Sequence, residues 1–477
     1  SILPLQNGPI VFSGFENCYS GESENTITSS EVASLLRDRQ GIMWVGMIGG
    51  GVNMVNTRRA KFSLDRLTET KRMLKSNSVR SLLLDDDGQL WMGISTYGFG
   101  VKDRQTGKFI HYPTTGHIWI GVYNGGAYEL DKQAPVGKRV KAHNSGNAPW
   151  MCNSCIYDIY EDSKQNLWFA TRGGVSMRAA DGTPVRIDSL KVGGVAIQDM
   201  VAMQLTEGGN GEMWMASNTH GVVRIQGSGH SLNGYTLSAY SVVNGKLNSN
   251  YADCIYKDIE GRIWVGTGGS GLSLYDAVED RFLPVHQLWN LPGDAVTSIQ
   301  SDKKGDLWLG TNAGLLKLTV PKDLQNVTYR LYTTSDGLQD NLFNRGASCE
   351  APDGELFFGG HRGYNSFYPD EQDEQVFSSP VVITNIKVSW TSLSDEERAE
   401  ISDLSPGFTD EIVLDYKQNN FSFEFSAMEY ANPERNQYAY RLDGFDVGWQ
   451  YTDASKRFAY YNNLMPGTYT FHVKSSN

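Results

Sequence analysis

Five cysteines and eight histidines are the residues of this 477-residue chain best suited to metal or covalent chemistry, and their spacing argues against both. Cys152-Asn-Ser-Cys155 has the spacing of half a zinc site, yet no second such pair stands elsewhere in the chain. A redox role would want a strand–helix–strand setting that the surrounding sequence lacks. Cys254 sits in the strand-like run Asp253-Cys-Ile-Tyr256, an ordinary place for a buried thiol. The histidines form no His-Glu-x-x-His pair, and there is no Gly-x-Ser-x-Gly elbow and no Gly-x-x-x-x-Gly-Lys phosphate loop. Among 54 acidic residues a glycosidase pair could hide, but no two can be singled out without geometry. No catalytic residue, metal site or cofactor is therefore expected.

Binding chemistry is left, and its candidates are polar and aromatic residues in loops that do not repeat. Leu247-Asn-Ser-Asn250-Tyr251 and Gln339-Asp-Asn341-Leu-Phe-Asn344-Arg345 lead into apolar strands, and His361-Arg362 follows a glycine pair. Asn250, Tyr251, Asn341, Asn344, Arg345, His361 and Arg362 are thus the candidate ligand contacts. Each also reads as a solvated turn residue or an Asn capping its own loop.

The elements that must carry these loops are announced by composition. The chain holds 51 glycines, about 11% against a usual 7% or so, and 54 Trp, Tyr and Phe residues, which together point to an all-β protein. A net charge of −12 gives a nucleic acid no basic patch to bind. No run approaches 18 consecutive apolar residues, so no membrane-crossing helix is expected. The chain begins at Ser1 and ends in a strand-like run from Thr468 to Asn477, so it reads as a piece of a longer protein.

An internal repeat sets the architecture. Asp38-Arg-Gln-Gly41-Ile-Met-Trp44-Val-Gly46 returns around Trp91, Trp264 and Trp308, with degraded copies at Trp119, Trp168, Trp214 and Phe357. The intervals between these eight anchors are 47, 28, 49, 46, 50, 44 and 49 residues, and six of them fit a four-stranded propeller blade. In each copy the Asp carboxylate can accept turn N–H groups, and Gly can take the positive φ that closes the hairpin. A blade cannot bury both faces alone, so the Trp should wedge between neighbouring sheets. The 28-residue interval is too short for a blade, and residues are expected to be missing between Thr115 and Gly116.

The repeat ends near Tyr364-Asn-Ser-Phe-Tyr-Pro369, and Pro380 to Val388 opens a different strand pattern. Further strands are expected at Glu411–Leu414, Phe421–Phe425, Tyr438–Leu442 and Thr468–Val473, with Trp449 as a buried residue of an immunoglobulin or fibronectin-III-like sandwich. The Asp-x-x-Gly-x-[Ile/Leu]-Trp-x-Gly units resemble the regulator propeller repeats of bacterial sensors. Tyr440-Arg-Leu-Asp-Gly-Phe-Asp-x-x-Trp449 and Tyr461-Asn-Asn-Leu-x-Pro466-Gly-Thr-Tyr469 resemble the three-tyrosine domain that follows such repeats. In this order they resemble the periplasmic sensor region of hybrid two-component systems of Bacteroides and relatives. The resemblance implies an oligosaccharide ligand, a homodimer, attachment to the inner membrane through a downstream helix, a kinase beyond it, and control of polysaccharide-utilisation genes. Residues 1–65 then form an N-terminal blade that could belong to a preceding propeller, 66–375 a seven-bladed type of β-propeller, and 376–477 a β-sandwich cut short at its C-terminal end. A secreted propeller glycosidase or lyase acting on polysaccharide is the alternative.

Overall fold

The computed structural model describes residues 31–38, 42–55, 62–65, 68–69, 72–73, 78–84, 88–94, 98–103, 117–131, 140–185, 187, 189–227, 234–372, 380–388, 411–416, 418–430 and 433–476. Two compact units divide the chain, one of residues 60–373 and one of residues 1–59 with 374–477.

The first unit is the propeller. Seven antiparallel sheets follow one another and are called blades 1 to 7 here. Their inner strands are Val79–Leu84 in blade 1, Ile156–Glu161 in blade 3, Ala202–Glu207 in blade 4, Ala252–Lys257 in blade 5, Val296–Ser301 in blade 6 and Phe343–Glu350 in blade 7. Blade 7 takes its outer strand from far upstream, because Ser63–Asp65 pairs with Gly363–Phe367. That pairing moves the domain boundary. A break after residue 65 would cut off the strand that completes the last blade, and the structure divides the chain at 59/60 instead.

Each seam between blades is filled by the aromatic residue of the repeat, as expected for sheets that cannot bury both faces alone. Trp168 packs with Met213 and Val223 of blade 4, Trp214 with Ala252 and Val265 of blade 5, and Trp264 with Val296 and Leu309 of blade 6. Trp308 meets Phe343 and Phe358 of blade 7, and Phe357 meets Val79 and Leu90 of blade 1. Trp91 with Leu130 and Trp119 with Ile156 and Phe169 complete the ring. Seven anchors serve seven seams. Trp44, the eighth, belongs to the other unit.

Blade 2 departs from its neighbours. Its strands are His117–Val122, Gly126–Asp131 and Val140–His143. The strand with Trp119 packs on the inner strand of blade 3, as the second strands of other blades pack on the next inner strand. Among the described residues blade 2 therefore has no inner strand. The junction between Thr115 and Gly116 lies outside the described residues.

The second unit holds a three-stranded sheet, Val32–Arg37, Met43–Met47 and Gly51–Val55, and a β-sandwich. One sandwich sheet is Val381–Val388, Phe421–Ala427 and Phe458–Tyr461, and the other is Gln450–Asp453, Gln437–Asp443 and Thr470–Ser476. Phe421, Phe425, Tyr438, Leu442 and Tyr461 form the core, with Tyr440 and Tyr469 packed against it. Two expectations fail here. Residues 411–414 form no strand. Trp449 is half-buried rather than core, with Arg441 and Lys474 over its ring at 5.3 and 4.2 Å, because cations can cover an exposed ring as well as a core can.

Candidate functional site

The repeated residues account for the lower face of the propeller, where first and second strands join. In blade 5 the Asp258 carboxylate accepts the N–H groups of Glu260 (3.0 Å) and Arg262 (2.9 Å) and the indole N–H of Trp264 (2.7 Å). Asp162 and Asp302 do the same for Trp168 (2.8 Å) and Trp308 (3.0 Å). Gly261 and Gly305 close these turns at φ of 80° and 88°. Where the Asp is lost, the indole either takes another acceptor or is itself replaced. Gly208 stands in the Asp position of blade 4, and Glu212 accepts the Trp214 indole instead at 3.0 Å. In blade 7 Ala351 stands there and the aromatic is Phe357, which has no N–H to satisfy.

The glycine after the Trp has a long-range cause. A Cβ on Gly266 would lie 2.4 Å from the Cys254 sulfur, and one on Gly310 would lie 2.4 Å from the Ser298 hydroxyl, across the strand pair. Blades 3 and 4 carry Ala170 and Ala216 at this place, opposite Asp158 and Gln204. Those two side chains turn away and accept the backbone N–H of Leu205 (2.9 Å) and Ile255 (3.0 Å) in the next blade. Asp158 can still be touched by water yet is surrounded on all sides, and this burial pushes its carboxyl up to about 6.

Another polar cluster, on the seam between blades 4 and 5, is also structural. Asp280 accepts the hydroxyls of Tyr240 (2.7 Å) and Tyr275 (2.8 Å) and pairs with Lys246. Burial works to raise its carboxyl, but these hydrogen bonds hold it at about 2. Asp280, Tyr240, Tyr275 and Lys246 thus each already have a partner.

The upper face differs. It is formed where inner strands begin and where second strands turn into third, and all seven candidate residues lie on it. Their surroundings separate them. Asn344 is buried and donates to the carbonyl of Val79 (2.6 Å) and to Ser78, so it fastens blade 7 to blade 1. Asn250 accepts the Val242 N–H at 2.9 Å, and Asn341 accepts that of Thr334 at 2.9 Å, each holding its own loop. Tyr251 is 64% exposed. Arg345 pairs through Nε with Asp253 at 2.9 Å, reaching past blade 6 to blade 5. Burial raises the Asp253 carboxyl and the Arg345 charge opposes that rise. His361 is exposed, and Arg362 lies 3.6 Å from Asp340.

Four neighbours complete this surface and escaped the sequence reading: Tyr123, Tyr157, Arg172 and Asp253. Tyr157 and Asp253 occupy the bulge at the start of their inner strands, where Arg80, Met203 and Thr297 stand in other blades. That varied position directly after an aliphatic residue is the signal that could have found them. Tyr123 and Tyr157 meet edge-on at 6.1 Å, and Arg172, next to the end of its strand, donates its backbone N–H to Cys155 at 3.1 Å. Burial raises the Tyr157 phenol, Tyr123 and Cys155 add to the rise, and Arg172 and Arg345 oppose it.

Among the described residues no three His, Cys, Asp or Glu side chains gather as a metal site. Cys152 donates to the carbonyl of Val175, Cys155 and Cys254 are buried, and burial pushes the Cys254 thiol up. Cys18 lies outside the described residues. No helix among the described residues is long and apolar enough to cross a membrane.

The two-component regulator propeller family matches residues 73–96, 151–173, 246–269 and 290–313, and the Y_Y_Y domain family matches 429–477. Histidine kinase P4 of Formosa agariphila is 33% identical over 184 residues, which is 39% of this chain and 13% of that protein. The extracellular domain of a protein described as a hybrid two component system, from B. thetaiotaomicron, is 21% identical, with 96% of this chain and 60% of that one covered at a TM-score of 0.47. A streptogramin B lyase structure is 16% identical, with 64% of this chain and 97% of that one covered at a TM-score of 0.43. The chain thus spans a small part of the kinase it matches. Over the matched residues, two-component regulator propeller repeats are followed along the chain by a Y_Y_Y domain.

Proposed function

We propose that this region senses an oligosaccharide outside the cytoplasm, as part of a hybrid two-component protein that controls polysaccharide-utilisation genes. The observation that carries the reading is the order of the two matched families within one chain. The upper face supplies the chemistry. Sugars offer hydroxyls on an edge and C–H groups on a face, and Tyr123, Tyr157 and Tyr251 offer rings while Arg345, His361 and Arg362 offer polar groups. Asp253 holds Arg345 from behind, so this donor is already oriented before a ligand arrives.

In this reading the Y_Y_Y domain leads toward an inner-membrane helix and a kinase, and two copies act together. Ligand can shift such a pair only by binding one arrangement better than the other. Calorimetric titration with a panel of oligosaccharides, followed by mass analysis of the recovered sugars, tests the proposal. Binding with the sugars unchanged supports a sensor. Shortened sugars produced at enzyme-like rates would mean a propeller glycosidase or lyase instead.

A further inference from the structure

Two guanidinium groups of the upper face, those of Arg172 and Arg345, bear on Tyr157, Arg345 with its head reaching to Asp253 of blade 5. Arg345 gives only its Nε to Asp253, and with 54% of its side chain exposed its two terminal nitrogens stay open to a ligand. Arg172 is exposed, and its side chain makes no ion pair among the described residues. Arg80, also exposed, holds on its inner strand the bulge position that Tyr157 and Asp253 hold on theirs. Blade 2 contributes Tyr123 and, among the described residues, no inner strand.

The chain carries a net charge of −12, and a general anion is repelled by most of its surface. Several cations elsewhere are neutralised: Lys246 and Arg224 by Asp280, Arg262 by Asp258, Lys317 by Asp306. Of the carboxylates near these groups, Asp253 is already held by Arg345 and Asp158 faces the Leu205 N–H. Open guanidinium groups next to the Tyr123–Tyr157 pair form a fork for a planar or tetrahedral anion with rings to lie against the body that carries it.

We infer that the ligand is an anionic saccharide, its carboxylate or sulfate ester seated between Arg172 and Arg345 beside the Tyr123–Tyr157 pair. The inference rests on the proposed saccharide sensing and narrows it. The 477-residue chain is titrated with a galacturonate trisaccharide, a sulfated galactotriose and neutral galactotriose at two salt concentrations. The expected result is that a charged sugar binds, that its affinity falls as salt rises, and that Arg172→Gln weakens it about tenfold with unchanged melting. The uronate and sulfate arms distinguish the two anion sources. Arg345→Gln should weaken binding as well, but it strands Asp253, so Arg172→Gln is the variant that decides. Equal, salt-independent binding of neutral galactotriose would overturn the inference and leave saccharide sensing standing, as would charged-sugar binding unchanged by Arg172→Gln. Failure of a wide panel of saccharides, charged and neutral, to bind at all would remove both.

Discussion

The two faces of the propeller use the same residue types to opposite ends. On the lower face, Asp258, Asp302 and Asp162 each accept two turn N–H groups and an indole, and nothing is left over for a ligand. On the upper face, Asp253 meets one Arg edge, while Tyr123, Tyr251 and Arg172 point polar groups to solvent. Repetition and satisfaction go together because a blade needs the same turn each time. Ligand chemistry should be sought where the repeat varies and where donors remain open.

Changes on the lower face should act on stability. Trp264→Ala removes the largest side chain of the seam between blades 5 and 6 and should cost about 3–5 kcal/mol, read by chemical denaturation. A wild-type melt with ligand response lost would contradict the structural role. Asp258→Ala leaves the buried indole N–H and two turn N–H groups without an acceptor, at a cost of about 2–3 kcal/mol. Blade 7, with Ala351 and Phe357, predicts that the cost shrinks in a Trp264→Phe background, where no indole N–H needs the acceptor. A double-mutant cycle measures that coupling. Gly266→Ala must push the new methyl against Cys254 and Val296 and should cost about 1–3 kcal/mol by the same assay.

The inner wall sharpens the comparison through pH. Asp158 has its folded pKa raised to about 6 from 3.8, so its neutral form is favoured by folding. Its contribution to stability is full below about 3.8 and is lost as pH rises through about 6. Asp158→Asn keeps an acceptor for Leu205, and should melt higher than wild type at pH 8, with the gap closing toward pH 4. A gap that widened on acidification would show that Asp158 is stabilised as the anion. The smallest effect belongs to the upper face: Arg172→Gln should change stability by less than about 0.5 kcal/mol.

The repeat was legible in the sequence because one spacing of Asp, Gly and Trp recurs, and each copy is satisfied within a few residues of itself. What was not legible depended on distance along the chain. The strand Ser63–Asp65 closes blade 7 from some 300 residues upstream, so no local pattern marked it as part of the propeller. Gly266 needs its missing Cβ because of Cys254, a partner on another strand. Asn344, chosen as a polar residue beside a strand, is consumed by Val79 of another blade, whereas Arg345 next to it remains outward. Tyr157 and Asp253 were passed over because each sits inside a strand-like run, and only the bulge sets that position apart from the regular pairing of its neighbours.

Hydrogen–deuterium exchange of the 477-residue chain, with and without a saturating oligosaccharide, tests most directly that ligand chemistry belongs to the non-repeating face. The expected protection falls at 121–126, 152–158, 172–173, 250–253 and 340–346, with the Asp turns at 162–166, 258–262 and 302–306 unchanged. Protection confined to those Asp turns, with the upper-face segments unmoved, would contradict the account.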